Sequence, residues 1–204
     1  MQDGRFGTFA FAASLLAWAG ALATGLFIFW SYDGTPAPAG EPPVRWPSGS
    51  VISQPDARPA LLLFAHPQCP CTRASLDELI ALMTRTRGLA SVYVVFSAPA
   101  DASETWTHSA SWNYAASIPD VRIVLDRDAR EAHRFGVLAS GHVLLYGSGG
   151  ELLFNGGITP ARGRVGDNAG RDAISALLTG QRAPRSRSSI FGCLLPTTAY
   201  DGQL

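Results

Sequence analysis

The stretch ALLLFAHPQCPCTRASLDEL, residues 60–79, decides how the chain is read. Its first six residues form a continuous apolar run, as in a strand buried on both faces. Further on, Leu76, Leu79, Ile80 and Met83 recur at i, i+3, i+4 and i+7, which is one face of a helix. Between strand and helix stand Cys69 and Cys71, two of three cysteines, with Pro70 between them. Pro70 suits a first helical turn, where an amide hydrogen would go unpaired anyway. A thiol at that junction meets free N–H groups and the positive end of the helix dipole, so its pKa falls. Cys69 is best placed for this, and helical geometry turns Cys71 away from it. The competing use is burial as small apolar filler. The strand–helix junction and the intervening proline argue for chemistry instead.

Working outward, SVYVVF (91–96) and VRIVLD (121–126) read as further strands, rich in β-branched residues. A helical segment is expected over 103–117, closed by Pro119, and a short helix in DAREAHRF (128–135). HVLLY (142–146) and ELLF (151–154) flank the glycine turn GSGG, which makes a hairpin. A last helix runs through 171–178, capped by Asp167 or Asn168. The order β-α-β-α-β-α-β-β-α implies an α/β fold, a mixed sheet covered on both faces. No internal repeat is visible.

The N-terminal part is of another kind. Residues 8–30, TFAFAASLLAWAGALATGLFIFW, carry no charge. About twenty apolar residues suffice to cross the hydrocarbon layer. LFIFW runs straight past the only small-residue cleavage pattern, so an uncleaved anchor over residues 1–31 is expected rather than a signal peptide. Arg5 favours an inside N-terminus, with the remainder outside the cytoplasm, where disulfides persist. Residues 32–50 are rich in Pro, Gly and small residues and read as a tether. The folded unit is expected over 51–181, followed by a tail, 182–204, that holds Cys193.

Of the 204 residues, 47% are hydrophobic and 16% charged, and the formal net charge is zero. That balance leaves no electrostatic footprint for nucleic acid. All sixteen basic residues are arginine, which excludes lysine chemistry.

The strand–cysteine–helix order, the later FGV, the hairpin VLLYGSGGELLF and the closing helix resemble the thioredoxin fold. The added strand at VRIVLD is similar to that of membrane-anchored thioredoxin-like proteins. More narrowly, FAHPQCPCTRAS with FNGGITPARGRVGDNAG resembles the RedB-like branch of that superfamily. The resemblance spans roughly residues 58–180. It implies a thioredoxin-like fold with an inserted strand, a protein thiol or disulfide as substrate, an electron-donor partner and no cofactor. The location it implies is a single-pass inner membrane protein whose domain faces the periplasm. Two departures stand out. The usual C-x-x-C is here C-x-C, with Gln68 where the first cysteine would stand. The cis-proline that normally faces the disulfide corresponds to Gly141.

On this reading Cys69 attacks, Cys71 resolves, and His66 and Gly141 shape the site. A Cys69–Cys71 disulfide would close a small, strained and oxidising ring. Gly141 leaves space over the cysteines for a substrate peptide, and His142 is a strand-edge residue. The alternative is a copper site of Cys69, Cys71, His66 and His142, similar to Sco-type assembly factors that pair thiolates with imidazole. A third reading is a non-catalytic interaction domain. The peroxiredoxin Thr-Pro-Cys pattern is absent. His108, Trp106 and Trp112 read as loop packing, His133 as solvent-facing, and the glycine–arginine loop 156–171 as packing near the cysteines. Cys193 is either an unpaired cysteine in an apolar docking segment or a resolving thiol brought in by the tail.

Overall fold

The computed structural model describes residues 3–55 and 57–195. The chain divides into two units, one ending at Thr35 and one beginning at Pro36. In the first, helix α1 covers Asp3–Gly34. Its stretch Phe11–Gly34 is apolar and, by length and composition, long enough to cross a membrane. The orientation cue at Arg5 lies outside the described side chains.

The second unit is built on a five-stranded sheet of order β3-β2-β1-β4-β5. The strands are β1 Ala60–Ala65, β2 Ser91–Ala98, β3 Val121–Arg127, β4 His142–Tyr146 and β5 Leu152–Gly157. β1 to β3 run parallel, while β4 and β5 are antiparallel to their neighbours. The apolar run of β1 therefore occupies the centre, and all six of its residues are buried. Its side chains alternate between two cores. Leu61, Leu63 and Ala65 meet Leu76, Leu79 and Leu82 of helix α2 (Cys71–Arg85) and Ile174 of helix α6 (Ala169–Leu178). Leu62 and Phe64 face Phe135, Tyr146 and the short helix α5, Arg130–Arg134. The mixed sheet with helices on both faces meets the expectation drawn from the sequence.

Two local readings change, and the choice between Asp167 and Asn168 as a cap is resolved. The helix expected over 103–117 is two, α3 Glu104–Thr107 and α4 Ala110–Ala116, because Ser103 and Ser109 each cap a new start. α6 is capped by Asn168, whose side chain accepts from the Arg171 amide at 2.7 Å. His142 is not at an edge: β4 lies between β1 and β5, and the residue is fully buried.

The two segments expected to be free of the domain pack against it. Trp46 lies edge-on against Phe135 and Tyr146, at 5.1 and 5.3 Å between ring centres. The Ala37 amide donates to the Ile190 carbonyl at 2.8 Å. Low apolar periodicity suggested a tether, yet single aromatic and backbone anchors suffice to dock such a segment. Of the tail expected over 182–204, residues 196–204 lie outside the described residues. The part up to Leu195 forms a strap. The Asn155 amide donates to the Ser186 carbonyl at 3.0 Å, and the Ser188 amide returns to the Asn155 carbonyl at 3.3 Å. The strap then crosses the sheet end and pairs antiparallel with the loop before β4, Ala139 opposite Leu194. Small residues make room for it. A Cβ on Gly157 would stand 2.6 Å from the Ser189 carbonyl oxygen, and one on Gly192 only 1.8 Å from that of Ser140.

Candidate functional site

Cys69 ends the turn that leaves β1, and Pro70, with helical φ of −63°, caps α2. The turn is closed by the Cys69 amide donating to the His66 carbonyl at 3.1 Å, and by the Thr72 hydroxyl donating to the same oxygen at 3.0 Å. His66 therefore builds the turn through its backbone. Its ring Nδ1 accepts the Gln68 amide at 3.2 Å and stands edge-on to Trp106. Burial holds the imidazole pKa below its ordinary value, and a Cys69 thiolate nearby partly offsets this. Gln68, at the place of a missing first cysteine, donates to the Trp106 carbonyl at 2.9 Å. It staples the junction to α3 and offers no thiol.

All three thiols gather here. Cys69 Sγ lies 2.9 Å from Cys193 Sγ, in hydrogen-bonding contact. The Cys193 thiol is the largest influence on Cys69, lowering its pKa to about 5 against the cost of burial. The amides of Cys193 and Cys71 and the Ser140 hydroxyl add to the same effect. These donors converge on one sulfur, so the thiolate is favoured well below the usual thiol range. Cys193 moves the opposite way, pushed up by donating to Cys69, by burial and by the charges around it. Cys71 is also raised, first by burial and then by the Cys69 charge. Cys71 is the first residue of α2.

Gly141 sits where the sequence places it, with a left-handed φ of +82° that suits glycine. The described residues contain no cis peptide bond. The Gly141 amide donates to the Phe64 carbonyl at 2.8 Å, tying the loop to the centre of the sheet. The space expected over it is taken by the strap: a Cβ there would lie 3.0 Å from the Phe191 carbonyl oxygen. The neighbouring Ser140 amide donates to the Cys193 carbonyl at 2.8 Å, and the Leu195 amide to the Leu138 carbonyl at 2.9 Å. Cys69 is left only 3% exposed.

His142 belongs to another environment. Its Nε2 is hydrogen-bonded to the Asn155 side chain, and burial lowers its pKa to about 4. The described residues hold no group of three His, Cys, Asp or Glu side chains arranged to hold a metal. His108 stands edge-on to Trp112 and His133 is exposed. The glycine–arginine loop does approach the cysteines. Arg162 Nη1 donates to the Gly192 carbonyl and its charge reaches Cys71. Arg171 is buried and paired with Glu78, which also accepts the Gly166 amide at 2.6 Å. Sequence reasoning missed Ser140. Its hydroxyl lies 3.2 Å from that of Thr72, and its only sequence signal is adjacency to Gly141.

No protein-family model and no curated protein matches the chain. Solved structures do. A hypothetical protein from Sinorhizobium meliloti aligns at 21% identity and a TM-score of 0.58, covering 81% of this chain and 96% of that one. An uncharacterized conserved protein from Geobacillus kaustophilus aligns at 17% identity and 0.54, covering 79% and 92%. A putative thiol:disulfide interchange protein from Chlorobium tepidum aligns at 18% and 0.41, covering 72% and 96%. By strand order and helix placement the second unit carries a thioredoxin-like fold, and the N-terminal apolar helix is a candidate membrane span.

Proposed function

We propose that the chain is a membrane-anchored thiol–disulfide oxidoreductase of the periplasmic face, with Cys69 as attacking thiolate. The observation that carries this reading is the convergence of Cys193, Cys71 and Ser140 donors on the Cys69 sulfur, which holds its pKa near 5. A thiolate attacks a disulfide sulfur, and a second thiol then displaces the bound partner. His66 and Gly141 shape the site through the turn and the loop facing it, and the chemistry calls for no cofactor. The RedB-like branch is the narrower reading, supported by the motifs FAHPQCPCTRAS and FNGGITPARGRVGDNAG. For the resolving thiol the geometry offers two neighbours, Cys71 and Cys193.

The test uses the full chain in detergent micelles, catalysing reduction of a self-quenched disulfide-linked peptide by dithiothreitol. Cys69→Ser should return the rate to that of dithiothreitol alone. Turnover by Cys69→Ser equal to wild type would sink the reading.

A further inference from the structure

We propose that Cys193, delivered by the strap over residues 186–195, is the thiol that resolves disulfides formed on Cys69, so that the working dithiol is Cys69–Cys193 rather than the C-P-C pair. The inference rests on the oxidoreductase reading above and assigns its second thiol. Three independent features converge on it.

The first is contact, since Cys193 Sγ lies 2.9 Å from Cys69 Sγ. The second is that the contact is built. The strap is held at Cys193 and just after it, by the Ser140 amide at the Cys193 carbonyl and by the Leu195 amide at the Leu138 carbonyl. Arg162 takes the Gly192 carbonyl, and Ile190, 1% exposed, packs with Ala37 and Ala139. Gly157 and Gly192 stand where any side chain would push the strap away. The third is coverage. With Cys69 3% exposed, a protein disulfide reaches it only when the strap lifts. The strap that must leave is the one that carries the second thiol.

With the strap raised, the Cys69 thiolate attacks one sulfur of a substrate disulfide. A Cys69–substrate bond forms, the substrate S–S bond breaks, and the first substrate thiolate leaves and takes a proton. Docking returns Cys193, whose thiol loses its proton and attacks the Cys69 sulfur. The Cys69–Cys193 bond forms as the second substrate thiol departs. Two electrons pass from the protein dithiol to the substrate, and the reverse sequence oxidises a substrate dithiol. Timing is inherent in the contact. The Cys69 charge and hydrogen bond hold the Cys193 proton in place. Once Cys69 is in a mixed disulfide that charge is gone, and Cys193 ionises more readily.

The experiment uses reduced full-length protein in detergent with oxidised glutathione as probe, followed by alkylation, tryptic digestion and non-reducing mass mapping. Wild type and Cys71→Ser should both release glutathione and link the peptide holding Cys69 to the one holding Cys193. Cys193→Ser should stop at a glutathione adduct on Cys69. Gly192→Val keeps every thiol but obstructs docking, and should slow the link by roughly tenfold or more as the effective concentration of Cys193 falls. An adduct that persists in Cys71→Ser while Cys193→Ser resolves it would overturn the inference and leave the oxidoreductase reading standing. A Cys69 thiol that stays free in Cys193→Ser, with neither a glutathione adduct nor a bond to Cys71, would overturn both.

Discussion

The β1–α2 junction and the C-terminal strap bring the same side chain to one point by opposite means. At the junction, Cys69 is fixed by its neighbours in sequence: a central strand behind it, a helix ahead, and a turn closed on the His66 carbonyl. On the strap, Cys193 is fixed by residues far along the chain, through backbone pairing and a few buried contacts. The junction shares the main core, so it moves only if the domain unfolds. The strap has small contacts of its own, so it can release alone. One site thus combines a rigidly held thiol with one on a detachable segment.

Substitutions can pull these two behaviours apart. Leu76→Ala, in α2 beneath the junction, should cost about 2–5 kcal/mol of global stability, read as a lowered denaturant midpoint. Ile190→Ala removes an equally buried side chain from the strap. Its cost should fall on docking, so iodoacetamide should modify Cys69 roughly tenfold faster or more, with a smaller change in midpoint. Equal loss of midpoint in both variants would mean that strap and junction unfold together.

The next effect is electrostatic. Cys193→Ala removes the largest influence on Cys69, so its thiol should titrate well above about 5 by thiolate ultraviolet absorbance in a Cys71→Ser background. Stability should follow pH accordingly. Cys69 has a folded pKa below its unfolded one, so its contribution is full above the ordinary thiol value, about 8.5, and is lost as pH falls through about 5. Cys193 is raised, so its contribution is present below the ordinary thiol value and lost as pH climbs past it. The reduced protein should therefore gain stability from about pH 5 toward 8 and lose it beyond. A Cys69→Ala chain with the same profile would refute this.

The smallest effect on exchange is expected at His142→Ala. The ring is buried against Asn155, so stability should drop by about 1–3 kcal/mol while the exchange rate holds. A rate falling with the stability unchanged would put His142 in the site.

The same contrast explains what was legible in the sequence. The junction is written in local pattern: ALLLFA, the helical repeat of Leu76, Leu79 and Ile80, and Pro70 between the cysteines. The strands, the main helices and their buried faces follow from such patterns, because buried faces impose periods of two and 3.6 residues. The strap has no period. Its docking depends on backbone amides and carbonyls, which carry no side-chain signature, and on close approach at glycines that read as mere flexibility. The tail over 182–204 therefore reads as separate from the folded unit, and Gly141 reads as an opening although it is the floor under Phe191. Gly192 was the recoverable clue, a glycine directly before the third cysteine.

The wide spacing of the two touching thiols has a thermodynamic consequence. Cys69 and Cys193 are 124 positions apart, so a bond between them would close a loop holding four of the five strands, all but β1. Cross-linking so long a loop removes chain entropy from the unfolded state, worth about 5 kcal/mol in the loop-closure account. Linkage returns that amount to the bond: the folded chain would hold its disulfide against reduction by roughly 100 mV more than the unfolded chain does. A Cys69–Cys71 ring would gain almost nothing this way. The choice of partner would thus decide whether the bond is held by the fold around it or by its own small ring alone.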